Sequence, residues 1–261
     1  MDAVTAPTFG DRAAELTRGL AAVRSRLALA AEAAGRPVAQ IQLLPITKFF
    51  PASDVAILWR LGCRAFGESR EQEASSKIAE FDTLVPTVAD SAPKPGPVCW
   101  HMVGQVQRNK AKHIAGWADT VHSVSTAKVV TALDRAAEQA LADGRRRGRL
   151  RVFVQISLDG DISRGGVAMD NSAGVDLLCG QIADSGALEL VGLMAVPPLG
   201  SDPDRAFAAL ATEHRRVLSS HPGATELSAG MSGDLEAAVR HGSTCVRVGT
   251  ALMGRRPLTS P

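Results

Sequence analysis

The chain contains no tyrosine, so no phenol is available to it as an acid or base. It has four cysteines, Cys63, Cys99, Cys179 and Cys245, too scattered for metal-ligand spacing. They read as reduced, mostly buried thiols, and a zinc site is not expected. Charge of either sign is in small excess only, with a net value of +2, which excludes the clustered positive field of a nucleic-acid or membrane-binding surface. No apolar run approaches the ~20 residues of a membrane span, and "MDAVTAPTFGDR" lacks the basic start and apolar stretch of a leader. A soluble, cytoplasmic protein is the expectation.

What is present is a long chain with regular alternation. Its 261 residues are 45% hydrophobic, enough for a full core. Leu16, Leu20, Val23, Leu27 and Ala30 fall at helical spacing, and Gly35 with Pro37 stops that opening helix. Short β-rich runs then alternate with amphipathic stretches: "IQLLPIT", "CRAFGE", "VCWHMVG", "TVHSV", "LRVFVQIS", "LELVGLMAV", "TELSAGM" and "TCVRVGTALMG" each precede or close a helical segment. About eight strand-helix units in about 250 residues predict a closed (β/α)₈ TIM barrel, with a doubly wound open sheet as runner-up. One domain over 1–261 is expected, with the extra N-terminal helix over 10–35 and the barrel over 41–256. Pro45 counts mildly against a central strand. "PTVADSAPKPGPV", from Pro86 to Val98, reads as a surface excursion, and "GRRRGR" from Gly144 as a solvated loop.

Lys48 ends the apolar run "LLPITKFFP". Taken alone it reads as a snorkelling surface lysine. Barrels, however, gather function where strands end, and anionic phosphates favour the loops after the last two strands. There stand "LSAGMSGDLEAA", with Ser228, Gly230 and Ser232 ahead of a helix, and "VRVGTALMG", with Gly249 and Thr250. Strand alternation sends Cys245 and Arg247 into the barrel, where a guanidinium needs a partner, Glu68 or Glu226 being candidates. An amine, an arginine and a phosphate cradle at one mouth suit a phosphorylated aldehyde such as pyridoxal 5′-phosphate. Burial near Arg247 is expected to lower the lysine from its ordinary pKa of ~10.4. Met231 and Met253 read most simply as core residues, and Lys110 as part of a solvated helix start.

In this order, "ITKFFP", "FGESREQE", "WHMVGQVQRNK", "LVGLMAVPP" and "LSAGMSGDLEAAVRHGSTCVRVGTALMG" resemble the pyridoxal phosphate homeostasis protein family, whose barrel is similar to the N-terminal domain of alanine racemase. The resemblance runs from about Leu43 to Gly254. It implies that Lys48 holds pyridoxal phosphate as a Schiff base, and that Ser228, Gly249 and Thr250, with the backbone near Gly230 and Met231, bind the phosphate. It also implies that Arg247 faces the pyridine nitrogen, with His101 and Met194 lining the pocket. Two positions depart from the family: Ser69 replaces the usual asparagine of "FGEN", and Arg164 the usual lysine in "DISRGG".

Racemisation needs two bases on opposite faces of the cofactor. In alanine racemase, as the resemblance implies, the second is a tyrosine from a further domain, and this chain has none. A permanently charged arginine opposite the ring nitrogen also weakens the cofactor as an electron sink. The expected function is therefore pyridoxal phosphate binding and vitamin B6 homeostasis without significant catalysis, with delivery to apo-enzymes as the kind of partnership implied. The resemblance favours a monomer or weak homodimer. The alternatives are a small racemase using His101 or Cys245 as second base, and a barrel for another sugar or nucleotide phosphate.

Overall fold

The computed structural model describes residues 9–85 and 98–255. The excursion expected at 86–98 lies outside them except for Val98. The chain opens with α1 (Phe9–Ala33) and continues β1 (Gln42–Pro45), α2 (Ala52–Arg60), β2 (Ala65–Glu68), α3 (Glu71–Leu84), β3 (Cys99–Met102), α4 (Ala111–Trp117) and β4 (Thr120–Val124). After α5 (Ala127–Ala142) come β5 (Leu150–Ser157), β6 (Val167–Ala168), α6 (Ser172–Ala183), β7 (Leu188–Ala195) and α7 (Pro203–Ser220). The last elements are β8 (Glu226–Ser228), α8 (Leu235–Arg240), β9 (Cys245–Val248) and α9 (Thr250–Met253).

The sheet order is β1-β9-β8-β7-β5-β4-β3-β2, with neighbouring strands parallel, and β6 adds a short edge to β5. A bridge between Ile46 and Gly67 returns β1 to β2, so the eight main strands form a nearly closed TIM barrel and the open-sheet alternative falls away. Strands buried on both sides explain their apolar sequences: Val246 and Val248 pack outward with residues of α1 and α2, whereas Leu44, Ile46, Ala65 and Cys245 cluster together. Pro45 is accommodated because the next residue resumes pairing, Ile46 N–H donating to Val248 O at 2.9 Å. At Gly192 a Cβ would lie 1.6 Å from Glu226 O, so only glycine lets β8 approach β7 there.

The opening helix packs along the outside of the ring against α2, α8 and α9. Its Leu16, Leu20, Val23 and Leu27 are buried in one cluster with Val55, Leu58, Leu235 and Val246. Because α9 is only 4 residues long, α1 supplies the apolar face that a full-length last helix would give, covering β9. Neither β6 nor α9 stands out from the sequence pattern, both being too short for periodicity. Among the described residues no helix is long and apolar enough to cross a membrane, and no group of three metal-ligating side chains occurs.

Candidate functional site at the barrel mouth

Parallel strands put their carboxyl ends at one mouth, where Lys48, Ser69, Gly230, Gly249 and Thr250 all lie just beyond strand ends. β1 and β9 are neighbours, with Leu44 opposite Arg247 and Pro45 opposite Val248. Lys48 follows in a turn and is half-buried, its Nζ 5.9 Å from the centroid of the Phe49 ring. It is less enclosed than its apolar neighbourhood in sequence implies.

Arg247 is 5% exposed. Its Nη1 donates to Ser228 Oγ at 2.5 Å and its Nη2 to Ala195 O at 2.9 Å, while its backbone N–H donates to Gly230 O at 2.9 Å. Neither anticipated acid is its partner: Glu226 pairs with Arg151, and Glu68 with Lys77. No carboxylate of the described residues stands within ion-pair distance of Arg247, and burial lowers its pKa. The barrel interior thus holds one guanidinium satisfied by neutral acceptors only.

Behind Ser228 runs a second, neutral stretch of the same chain of bonds. Ser228 Oγ lies 2.9 Å from His122 Nδ1, and His122 Nε2 lies 2.9 Å from His101 Nδ1. Burial pushes His101 down to about 3, and burial, with the competing His101 ring and the Arg247 charge, takes His122 well below its ordinary 6.5. Both rings are neutral at physiological pH. His122 also stacks on Phe153, centroids 4.5 Å apart. Sequence reasoning missed His122, because one polar residue inside the apolar "TVHSV" reads as packing; its contact with His101 becomes visible only when β3 and β4 pair, with His101 opposite Thr120, two residues before His122.

Met194 is buried beside Phe153 and Val191, in register with Ser228. Gly230 is buried at φ 90°, and a Cβ there would meet Ala238 Cβ at 2.6 Å. The two anticipated phosphate loops face each other, Ala251 N–H donating to Ser232 Oγ at 3.3 Å. Met231 N–H donates to Asp234 Oδ1 at 2.6 Å, and the Met231 side chain is 37% exposed, so it is not the core residue expected. Met253 is buried. Arg164 turns to its own loop, pairing with Asp159 and Asp161. The segment around Lys110 is the exposed helix start expected, and Lys110 itself pairs with Glu71 at 3.2 Å. Of the cysteines, Cys99 is exposed and the other three are buried.

A cavity of about 1000 Å³ opens on the flank next to the mouth, lined among others by Phe49, Ser69, Arg70, Glu73, Lys77 and Lys110. Phe49 and Phe50 of the Lys48 turn line it, but none of its lining comes from β7, β8 or β9.

The family model "Alanine racemase, N-terminal domain" matches residues 19–257, which span the whole of this parallel barrel and its mouth. A protein of Mycobacterium tuberculosis named pyridoxal phosphate homeostasis protein is 62% identical over 253 residues, 97% of each chain. The structure of PipY from Synechococcus elongatus, with PLP bound, is similar at a TM-score of 0.74 and 30% identity, covering 92% of this chain and 100% of that one. Alanine racemase of Clostridium difficile shares the fold at a TM-score of 0.61 and 14% identity, and this chain covers 61% of its length. The chain belongs to the pyridoxal phosphate homeostasis protein family, within the alanine racemase N-terminal domain fold.

Proposed function

We propose that this chain binds pyridoxal 5′-phosphate at the barrel mouth and serves intracellular vitamin B6 homeostasis, without significant catalysis of its own. The observation that carries the reading is Arg247: a buried cation with neutral partners leaves a site short of negative charge or electron density. The residues fit the group. Lys48 is the amine that would hold it covalently, joining the aldehyde carbon with loss of one water. Ser228, Thr250, Gly249 and the backbone near Gly230 and Met231 are the phosphate-side groups, and Arg247 is the ring-nitrogen partner. Ser69, His101 and Met194 complete the proposed surroundings. Bound pyridoxal phosphate supplies an aldehyde and an electron-withdrawing ring, and Arg247, by staying protonated, keeps the ring nitrogen from gaining a proton.

Two further observations support storage over turnover. A second base for racemisation needs a pKa near working pH. His101 is held at about 3, and burial pushes the Cys245 thiol up to about 11, so neither candidate is poised for that task. The mouth also carries exposed apolar side chains, Val196, Leu199 and Met231, in keeping with contact to acceptor apo-enzymes in the cytoplasm.

Titrating the purified protein with pyridoxal phosphate while following near-ultraviolet and visible absorption tests the binding. Incubation of the loaded protein with L-amino acids in deuterated water tests the rest: deuterium entering Cα at enzyme-like rates would overturn the non-catalytic reading in favour of a small racemase.

A further inference from the structure

The two residues flanking Lys48 are tied to one buried charged cluster. On the amino side, Thr47 O accepts from Lys77 Nζ at 2.8 Å, and Thr47 Oγ1 donates to Glu68 Oε1 at 2.6 Å. On the carboxyl side, Phe49 N–H donates to Glu73 Oε1 at 2.5 Å. Lys77 Nζ joins both halves, 2.7 Å from Glu68 Oε1 and 3.2 Å from Glu73 Oε1. Lys77 is 5% exposed and Glu68 fully buried, with Glu68 Oε2 lacking a hydrogen-bond partner among the described residues.

Such a cluster is a poor way to gain stability, since burying ions and leaving an acceptor unpaired both cost more than apolar packing would. What it holds is a backbone that resists being held. Phe49 has φ 69°, and it is the one described non-glycine residue in the left-handed region. Backbone strain of this kind persists only where surrounding bonds over-determine it. The three bonds to Thr47 and Phe49, added to the turn bond from Phe50 N–H to Thr47 O at 3.0 Å, do so from both sides of Lys48, fixing the direction in which its side chain leaves the turn.

We propose that Lys77, acting through Glu68 and Glu73, is a positioning residue for Lys48. This rests on the reading of Lys48 as the pyridoxal phosphate lysine. Lys77 touches no reacting atom; it aims the amine toward the mouth by pinning the peptide units before and after it. The flanking cavity is lined by Glu73 and Lys77 together with Phe49 and Ser69, so the cluster borders it.

Lys77→Met removes the cation from two carboxylates and risks not folding, so Glu73, which is half-exposed, carries the test. Two readouts are taken: exchange of the Phe49 amide proton in ligand-free protein, and the fraction of chains linked at Lys48 after pyridoxal phosphate and borohydride, by peptide mapping. Glu73→Ala is expected to speed exchange at Phe49 by about tenfold or more and to weaken linkage by about tenfold, well below the unfolding temperature. Glu73→Gln, whose amide oxygen still accepts, stays within about twofold of wild type in both. Adding Phe49→Gly to Glu73→Ala restores linkage without restoring amide protection, because glycine takes a positive φ at no steric cost. Unchanged exchange in Glu73→Ala overturns the proposal, as does linkage that falls only in step with unfolded protein. If wild-type protein never links at Lys48, the functional reading fails, while the exchange data still decide whether the cluster holds the turn.

Discussion

Arg247 Nη1 lies 2.5 Å from Ser228 Oγ, so the guanidinium of β9 is anchored to a hydroxyl on β8 rather than to an acid. A neutral anchor leaves the positive charge available to a ligand. It also makes the arginine a net burden on the empty fold, since desolvation is not offset by an opposite charge.

Arg247→Met follows from that imbalance. Relief of desolvation offsets the loss of two hydrogen bonds, and stability should change by no more than about 1 kcal/mol while pyridoxal phosphate affinity falls at least about tenfold. Urea unfolding and ligand titration measure the two sides. A large stability loss with unchanged affinity would assign Arg247 to the scaffold.

The histidine pair makes the fold sensitive to acid. His101 is held at about 3 against an ordinary 6.5, so between those values the unfolded chain binds a proton that the native chain does not, and stability falls as pH drops. Between pH 6.5 and 5 that is about 1–2 kcal/mol for this one group. His101→Asn, which keeps a hydrogen-bonding atom toward His122, should flatten the decline over that window; equal slopes for both proteins would show that the rings titrate freely.

The two glycines of the proposed phosphate loops should respond differently. Gly230→Ala forces a Cβ to 2.6 Å from Ala238 Cβ at φ 90°, and about 1–3 kcal/mol of stability should be lost. At Gly249 the nearest atom to an added Cβ is Ile46 Cβ at 3.7 Å, an ordinary contact. Gly249→Ala should therefore unfold within about 0.5 kcal/mol of wild type yet bind pyridoxal phosphate more weakly, because the new methyl stands where the ligand approaches. Thermal unfolding and titration separate the cases, and unchanged affinity in Gly249→Ala would remove that loop from the site.

The barrel was legible because strands buried on both faces and amphipathic helices leave different periodicities, and β5, β7 and α8 lie where the pattern places them. Lys48 and Arg247 stood out as charges at the ends of apolar runs. Their supports did not. Glu73 and Lys77 are spaced as an ordinary i,i+4 surface pair on α3, and nothing local tells that Lys77 turns inward to meet Thr47. The acids that charge alone offers Arg247 are taken elsewhere for a related reason: opposite charge suggests a partner, but register decides it, and register gives Glu226 to Arg151. Hydrophobicity alone places Met231 in the core, whereas the loop that carries it leaves the residue exposed.

Absorption of purified protein with pyridoxal phosphate, compared between wild type and Lys48→Ala, bears most directly on the central claim. Wild type should gain a visible or near-ultraviolet band that borohydride bleaches, and Lys48→Ala should lack it while melting within a few degrees of wild type. A Lys48→Ala protein that keeps the band at the same affinity, or a wild type that never acquires one, contradicts the assignment.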